Sequence, residues 1–287
     1  MHSSNKHIGV DIGGSHITSA LINSENGKVD FGSMQRVHVN SHDCADNILA
    51  QWTSAIENTI GSDFSKLSKI GIAMPGPFDY ETGVCLMQNV NKYESLYGLN
   101  IKKSLAERLE IESEKIQFKN DAEAYLAGEM TSGAGVGYKK SIGLTIGTGL
   151  GTAIYENGKA KDLGLGFTYK FESGVIEEYV STRWFLARYE ELTNTKLDGV
   201  KAISSIYDSD KYAKQVYDEF SRHLTYFINE FISIFYPEVI VIGGNIANSF
   251  HIFYPSIQEF LDNHYPGIKV VKSKLGEQAA LIGAINP

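Results

Sequence analysis

Two stretches of this 287-residue chain repeat one pattern. The first is GVDIGGSHITSALI, residues 9–22. The second is GLTIGTGLGTAIY, residues 143–155. Each runs glycine, apolar residue, Asp or Thr, Ile, Gly, a turn of small residues, and a return to apolar residues. β-Branched residues on both sides of a glycine-rich turn predict a strand, a tight turn and a second strand. A chain that builds this hairpin twice, so far apart, is expected to contain two related halves.

The rest of the pattern fills in around the hairpins. Residues 29–39 predict a third strand. Over 44–60, Ile48, Leu49, Trp52, Ala55, Ile56 and Ile60 share one helical face. KIGIAMPGP, 69–77, predicts a short buried strand ending at Pro75. A helix over 100–110 starts from Asn100 as its cap. IQFKND, 116–121, is a strand feeding directly into the helix AEAYLAGEM. The second half repeats the order: strands over 141–160, a helix over 174–190, and a long helix over 211–236. That long helix has an apolar stripe of Tyr212, Val216, Phe220, Phe227, Phe231 and Ile234. PEVIVIGG is then a strand followed by a helix from Asn245, and IKVVKSKL a strand followed by the helix EQAALIGAI. Hairpins first and strand–helix alternation afterwards imply an α/β protein with mixed sheets. The halves divide near residue 120, giving a first domain over 1–119 plus 276–287 and a second over 120–275.

Charge narrows the partners. Twenty-six basic residues against 34 acidic ones give a formal charge of −8. An acidic surface repels phosphate backbones, so general nucleic-acid binding is disfavoured, while one local nucleotide site is not. The two cysteines, Cys44 and Cys85, form no Cys-x-x-Cys pair and predict reduced thiols. The start of the chain lacks the apolar segment of a signal peptide, and no apolar run has the length of a membrane span. A cytoplasmic protein is expected.

The glycine turns suggest phosphate. Glycines let backbone N–H groups approach an anion and permit positive φ. Gly13-Gly14-Ser15 and Gly147-Thr148-Gly149 meet that need, with Thr18 following in the first hairpin. A purely structural turn would use the same residues; the duplication favours a polyphosphate gripped by both. Asp11 is placed to hold Mg²⁺ or its water shell, whereas Thr145 stands at the matching place in the second hairpin.

DIGGSHIT resembles the first phosphate motif of the sugar kinase and actin superfold, and LTIGTGLGTAI resembles the second. VIGGNIA, 241–247, resembles the glycine pair that lies against adenosine, which assigns Gly243, Gly244 and Asn245 to the nucleotide. KND followed by AEAYLAGE is similar to the ROK family of repressors, open reading frames and sugar kinases. The resemblance runs from about residue 7 to 285. It implies two ribonuclease-H-like, actin-like ATPase domains around a cleft, with the helix Glu277–Ile285 returning to the first domain. It also implies ATP and Mg²⁺ as ligands, a sugar as substrate and self-association as a homodimer.

By the same resemblance Asp121 is the catalytic base for the sugar hydroxyl. Asn120, Asn89, Asp162 and Glu177 then contact the sugar, and the Pro-Gly-Pro segment at 75–77 lies near it. Asn120-Asp121 also fits a plain helix cap, which would keep the carboxylate ionised. Glu177 equally fits an acidic first-turn residue of the helix over 174–190. The family's usual zinc motif of one His and three Cys departs here: no Cys follows Cys85 and no His lies between His42 and His223. No zinc is therefore expected. Leu165 stands where the family has its His. A sugar hydroxyl there would lose a partner, a cost of about 1–3 kcal/mol. The expected activity is an ATP-dependent hexose kinase, glucose first. N-acetylhexosamine, mannose or fructose as substrate, polyphosphate as donor, or a non-catalytic sensor of the same fold are the alternatives. With about eight residues before Val10, no helix-turn-helix repressor domain is expected.

Overall fold

The computed structural model describes residues 6–23, 26–61 and 64–286. The chain forms two compact units, Met1–Gly133 with Glu277–Pro287, and Ala134–Gly276.

Unit 1 begins with β1 (Lys6–Ile12), β2 (His16–Ile22) and β3 (Val29–His38), then α1 (Ala45–Ile60) and β4 (Leu67–Met74). A small ladder follows, β5 (Phe78–Asp79) with β6 (Val84–Cys85), and then α2 (Ile101–Leu109), β7 (Ile116–Asn120) and α3 (Asp121–Ser132). The sheet order is β3-β2-β1-β4-β7. Its first three strands are antiparallel neighbours, and β1, β4 and β7 run parallel. The expected face of α1 is the buried one, with Ile48, Leu49, Trp52, Ile56 and Ile60 in the core. Cys44 gives this helix no side-chain cap. Five large apolar side chains at about 1.5–3 kcal/mol each outweigh a missing cap of about 1 kcal/mol. Asn100 caps α2 as expected, accepting from the Lys103 amide at 2.9 Å.

Unit 2 contains β8 (Ser141–Ile146), β9 (Leu150–Glu156), β10 (Lys159–Asp162) and α4 (Leu165–Thr168). Next come β11 (Lys170–Phe171), β12 (Gly174–Val175), α5 (Glu177–Val180), α6 (Thr182–Thr193), α7 (Val200–Ser205) and α8 (Lys211–Phe235). The unit ends with β13 (Val239–Gly243), α9 (Phe250–His264) and β14 (Lys269–Lys272). Its sheet order, β10-β9-β8-β13-β14, reproduces that of unit 1: an antiparallel meander joined to a parallel pair of additions. The duplicated hairpin is thus the visible part of a duplicated sheet.

Three expectations change in unit 2. The single helix over 174–190 is two helices, α5 and α6, meeting at an extended Ser181. In the stripe of α8, Val216, Phe220, Phe227 and Phe231 are buried, but Tyr212 is half-buried and Ile234 is 78% exposed. Both sit on the edge of the stripe, one near each end of the helix, where the core no longer covers them. The helix expected from Asn245 starts as a 3₁₀ turn over Asn245–Ser249.

The chain then returns to unit 1 as α10 (Gln278–Ile285). This helix lies on backbone, not on side chains. A Cβ at Gly9 of β1 would stand 2.1 Å from the Leu281 carbonyl oxygen, and one at Gly71 of β4 only 2.2 Å from that of Ala284. Gly128 of α3 stands equally close to the Ala279 oxygen, and Gly283 to that of Ala124. The interface is filled by Ala73, Ala124, Ala280 and Ala284. Small residues on all three partners let backbones approach, and dispersion rises steeply at that distance. Polar links add to it: Lys69 Nζ donates to the Ile285 carbonyl at 2.9 Å, and Gln117 to that of Ala284 at 2.5 Å. Because α3 is held by α10, the boundary falls after Gly133 instead of at residue 120.

Gly283→Val inserts a branched side chain where even a Cβ meets backbone. It is expected to cost about 3 kcal/mol, the upper range for overpacking. Denaturant unfolding should show a lower midpoint, and a midpoint equal to that of the parent would remove α10 as the keystone of unit 1.

Candidate active site

The first glycine turn, Gly13-Gly14-Ser15, links β1 to β2 after the pair Ile12↔Ile17. The second, Gly147-Thr148-Gly149, links β8 to β9 after the pair Ile146↔Leu150. Asp11 pairs with Thr18 across one hairpin, as Thr145 pairs with Gly151 across the other. Asp11 and Thr145 therefore hold equivalent places.

Of the two reasons expected for glycine in these turns, positive φ does not apply. None of Gly13, Gly14, Gly147 and Gly149 has a left-handed φ. A Cβ on Gly14 would meet nothing within 4 Å, and one on Gly13 or Gly147 would meet backbone only at ordinary contact, 3.7 or 3.9 Å. The fold could carry alanine at these three positions. What their bare backbones leave is open room beside N–H groups, which is what a phosphate requires. Gly149 differs, since a Cβ there would press on the Glu177 carboxylate at 2.5 Å.

In unit 1, cross-strand pairing sets Arg36, Thr18 and Asp11 in one row over β3, β2 and β1. Arg36 bridges to Glu277, just before α10, at 2.6 Å. The Asp11 carboxyl is pushed up to about 7. Burial is the main cause, the charges of Asp121 and Glu277 add to it, and Arg36 opposes it. Asp121 is the first residue of α3, and its Oδ1 accepts from the Ala122 amide at 2.9 Å. Its residue surface is open to solvent, yet the dense protein around it still desolvates the carboxyl and raises its pKa. The Ala122 amide and Lys92 pull the other way and lose. The helix N-terminus favours the ionised carboxylate as expected, but the net direction of the shift is upward, because desolvation outweighs these favourable contacts.

Asn120 is the true cap of α3. Its Oδ1 accepts from Ala122 at 2.8 Å and Glu123 at 3.3 Å, and its amide donates to the Tyr80 hydroxyl at 3.2 Å. Tyr80 in turn donates to the Met74 carbonyl at 3.1 Å. The residues after the Pro-Gly-Pro segment thus brace the cap, and one amide hydrogen of Asn120 remains for a ligand. Asn89 is exposed on the loop before the 3₁₀ turn Glu94–Leu96, with φ of 57°.

In unit 2 the third motif braces the second turn. Gly244 has φ of 83°, and a Cβ there would lie 2.4 Å from the Ile146 carbonyl oxygen. Gly243 ends β13 beside Thr145 of β8, and Asn245 follows, exposed. The Thr182 amide holds the Gly147 carbonyl at 2.8 Å. Glu177 is more than an acidic first-turn residue of a long helix: its Oε2 accepts from the Leu150 amide at 2.8 Å, and Arg183 approaches its Oε1 at 3.4 Å. It buttresses the second turn. Asp162 accepts from the Gly164 amide at 3.2 Å at the end of β10. Leu165 packs against the core of unit 2, so its side chain has an apolar role of its own. The stretch that stands where the family has its zinc motif, residues 159–181, runs from β10 through α5 and includes the β11–β12 hairpin. Here Phe171 meets Tyr179 and His223 at ring separations of 5.0 and 5.3 Å. Burial depresses the His223 pKa, so the ring sits there neutral.

Sequence reasoning passed over three residues: Tyr93, Arg36 and Glu277. Tyr93 looked like any core aromatic, and the Arg36–Glu277 pair joins positions far apart in the chain. Among the described residues, no three His, Cys, Asp or Glu side chains converge as a ready metal cage, and no helix is long and apolar enough to cross a membrane.

The ROK family model matches residues 7–167 and 172–286. An N-acetyl-D-glucosamine kinase of Histophilus somni is 26% identical over 313 residues, covering 97% of each chain. A glucokinase of Thermotoga maritima is 26% identical over 317 residues, 98% of this chain and 96% of that one. Among solved structures, a ROK family glucokinase from Streptomyces griseus, in complex with glucose and AMPPNP, superposes with a TM-score of 0.75. It is 23% identical, with 98% of each chain covered. The family model spans nearly all of the chain, and the chain belongs to the ROK family.

Proposed function

We propose that this protein is an ATP-dependent sugar kinase that transfers the γ-phosphoryl group to a hexose hydroxyl. Glucose is the first substrate and N-acetylglucosamine the second, since relatives named for each are equally similar. The observation that carries the reading is Asp121: a solvent-reachable carboxylate with a raised pKa, in the same unit as Asp11 and an unobstructed glycine turn. A base with a pKa nearer neutrality is better matched to a hydroxyl than an ordinary Asp.

In this mechanism Asp121 accepts the proton as the hydroxyl attacks, and the Ala122 amide fixes the direction of its carboxylate. Asn120, Asn89, Asp162 and Glu177 are proposed around the sugar. Asn120 has one donor to give, and Glu177 acts chiefly through the second turn that it supports. Gly13, Gly14, Ser15 and Thr18 serve the phosphates from unit 1. Within unit 2, Gly147, Thr148 and Gly149 are proposed as a phosphate-binding turn, with Gly243, Gly244 and Asn245 beside it for a nucleoside. Catalysis of this type is largely positioning and charge stabilisation.

Asp11 fits a divalent cation. Its carboxyl is desolvated by burial and lies under the influence of two further acidic groups, Asp121 and Glu277, with Arg36 opposing, so its pKa is raised and a cation would offset the charge. Mg²⁺ is commonly held by one or two carboxylates together with substrate phosphates, so no protein cage is needed. When bound, Mg²⁺ neutralises charge on the transferred phosphates.

Asp121→Asn should lower kcat by 10²–10⁴-fold, the range for a general base, on whichever of glucose and the N-acetylhexosamines the parent turns over. Coupled ADP release reads this, and unchanged kcat would remove Asp121 as the base. Gly14→Ala should leave the unfolding midpoint within about 0.5 kcal/mol of the parent while raising the KM for ATP. A stability loss with unchanged KM would make the turn purely structural. Asp11 binds its proton more tightly folded than unfolded between about pH 4 and about pH 7. Stability should therefore fall as pH rises through that window. In thermal melts without Mg²⁺, Asp11→Asn should flatten this decline and melt higher than the parent at pH 8; equal melting profiles would contradict the Asp11 environment.

A further inference from the structure

The loop over 88–93 is built at a conformational cost. Asn89, Asn91 and Tyr93 all have φ between 55° and 58°. Asparagine adopts this left-handed region readily; a tyrosine there is an outlier that surrounding contacts must hold. Those contacts are specific. The Tyr93 amide donates to the Ser41 carbonyl at 2.8 Å. Its ring, fully buried, meets Trp52 edge-on at 5.3 Å. Its hydroxyl donates to the Gly13 carbonyl at 2.6 Å, a bond within the first glycine turn.

That bond has a directional consequence. Gly13 C=O and Gly14 N–H belong to one planar trans peptide and point in opposite directions. Anchoring the carbonyl inward on Tyr93 turns the Gly14 N–H outward, away from the buried ring. Gly14 is exposed, with open space where a side chain would be. We infer that Tyr93 is a positioning residue: through its hydroxyl it sets the peptide plane that presents the Gly14 N–H to a nucleotide phosphate. The same residue ties the loop carrying Asn89 and Lys92 to that turn. Burial and the nearby Asp11 charge both raise the phenol pKa, which keeps the hydroxyl protonated as a donor. The inference rests on the kinase reading only for the identity of the anion.

Tyr93→Phe tests it, because the ring that packs on Trp52 stays and only the hydroxyl is lost. The KM for ATP should rise about tenfold, the equivalent of 1.4 kcal/mol, with the KM for sugar unchanged. Trp52→Phe is the packing control: it should lower the melting temperature and leave the KM for ATP where it was. A Tyr93→Phe enzyme with parental KM for ATP would overturn the inference while the kinase stands. So would equal rises for ATP and sugar. If the parent turns over no sugar, the kinase reading fails, and Mg·ADP binding by calorimetry decides the inference. About tenfold weaker binding to Tyr93→Phe supports it; equal binding, or none to the parent, overturns it.

Discussion

The close seat of α10 on glycine backbone is the constraint on which unit 1 depends. Gly9 and Gly71 are the floor, Gly128 is one wall, and Gly283 is the matching gap in the helix itself. No larger residue at any of the four positions keeps the same distance. The seat fixes more than stability. It brings Glu277 onto Arg36 of β3, and it holds α3, whose first residue is Asp121. One packing interface therefore sets both the electrostatics around Asp11 and the aim of the carboxylate proposed as the base.

Charge in unit 1 is arranged to be incomplete. Asp11, Asp121 and Glu277 influence one another with Arg36 as the counterweight to Asp11. Without a cation, Asp11 relieves the repulsion by retaining a proton to about pH 7. In the proposed role of Asp11, a divalent cation would displace that proton, and the two would compete for one carboxyl. Unit 2 repeats the sheet but has Thr145 at the equivalent position, and no such competition arises there. Two copies of one topology have thus taken different electrostatic roles by one substitution in the hairpin.

Much of this was legible in the sequence, for local reasons. The glycine hairpins, the buried face of α1, the cap at Asn100 and the order of strands and helices all follow from periodicity and turn chemistry, which are short-range. What escaped is tertiary. The break at Ser181 sits beside a tertiary bond, from the Thr182 amide to the Gly147 carbonyl, that exists only in the folded unit. Glu177 and Asn120 were visible as candidates, but not their commitments to Leu150 and Tyr80. Which of the two expected reasons for glycine applies in the turns had to come from the fold: the backbone angles are ordinary, and the missing Cβ is what matters. Nothing local marks Tyr93, whose hydroxyl partner lies 80 positions away.

The threading of the chain has a consequence for how the molecule is made. Unit 1 is interrupted in sequence by all of unit 2, and its keystone helix is synthesised after unit 2 is complete. On the ribosome, the first 133 residues emerge with an unfilled trough along β1, β4 and α3, lined by glycine and alanine. Unit 2, continuous in sequence, can close as soon as it appears. Completion of unit 1 therefore has to wait for a segment that follows unit 2, against the usual N-terminal-first order. A nascent chain stopped before Glu277 would carry a finished second unit and an open first one, exposing apolar surface to chaperones until the last helix arrives.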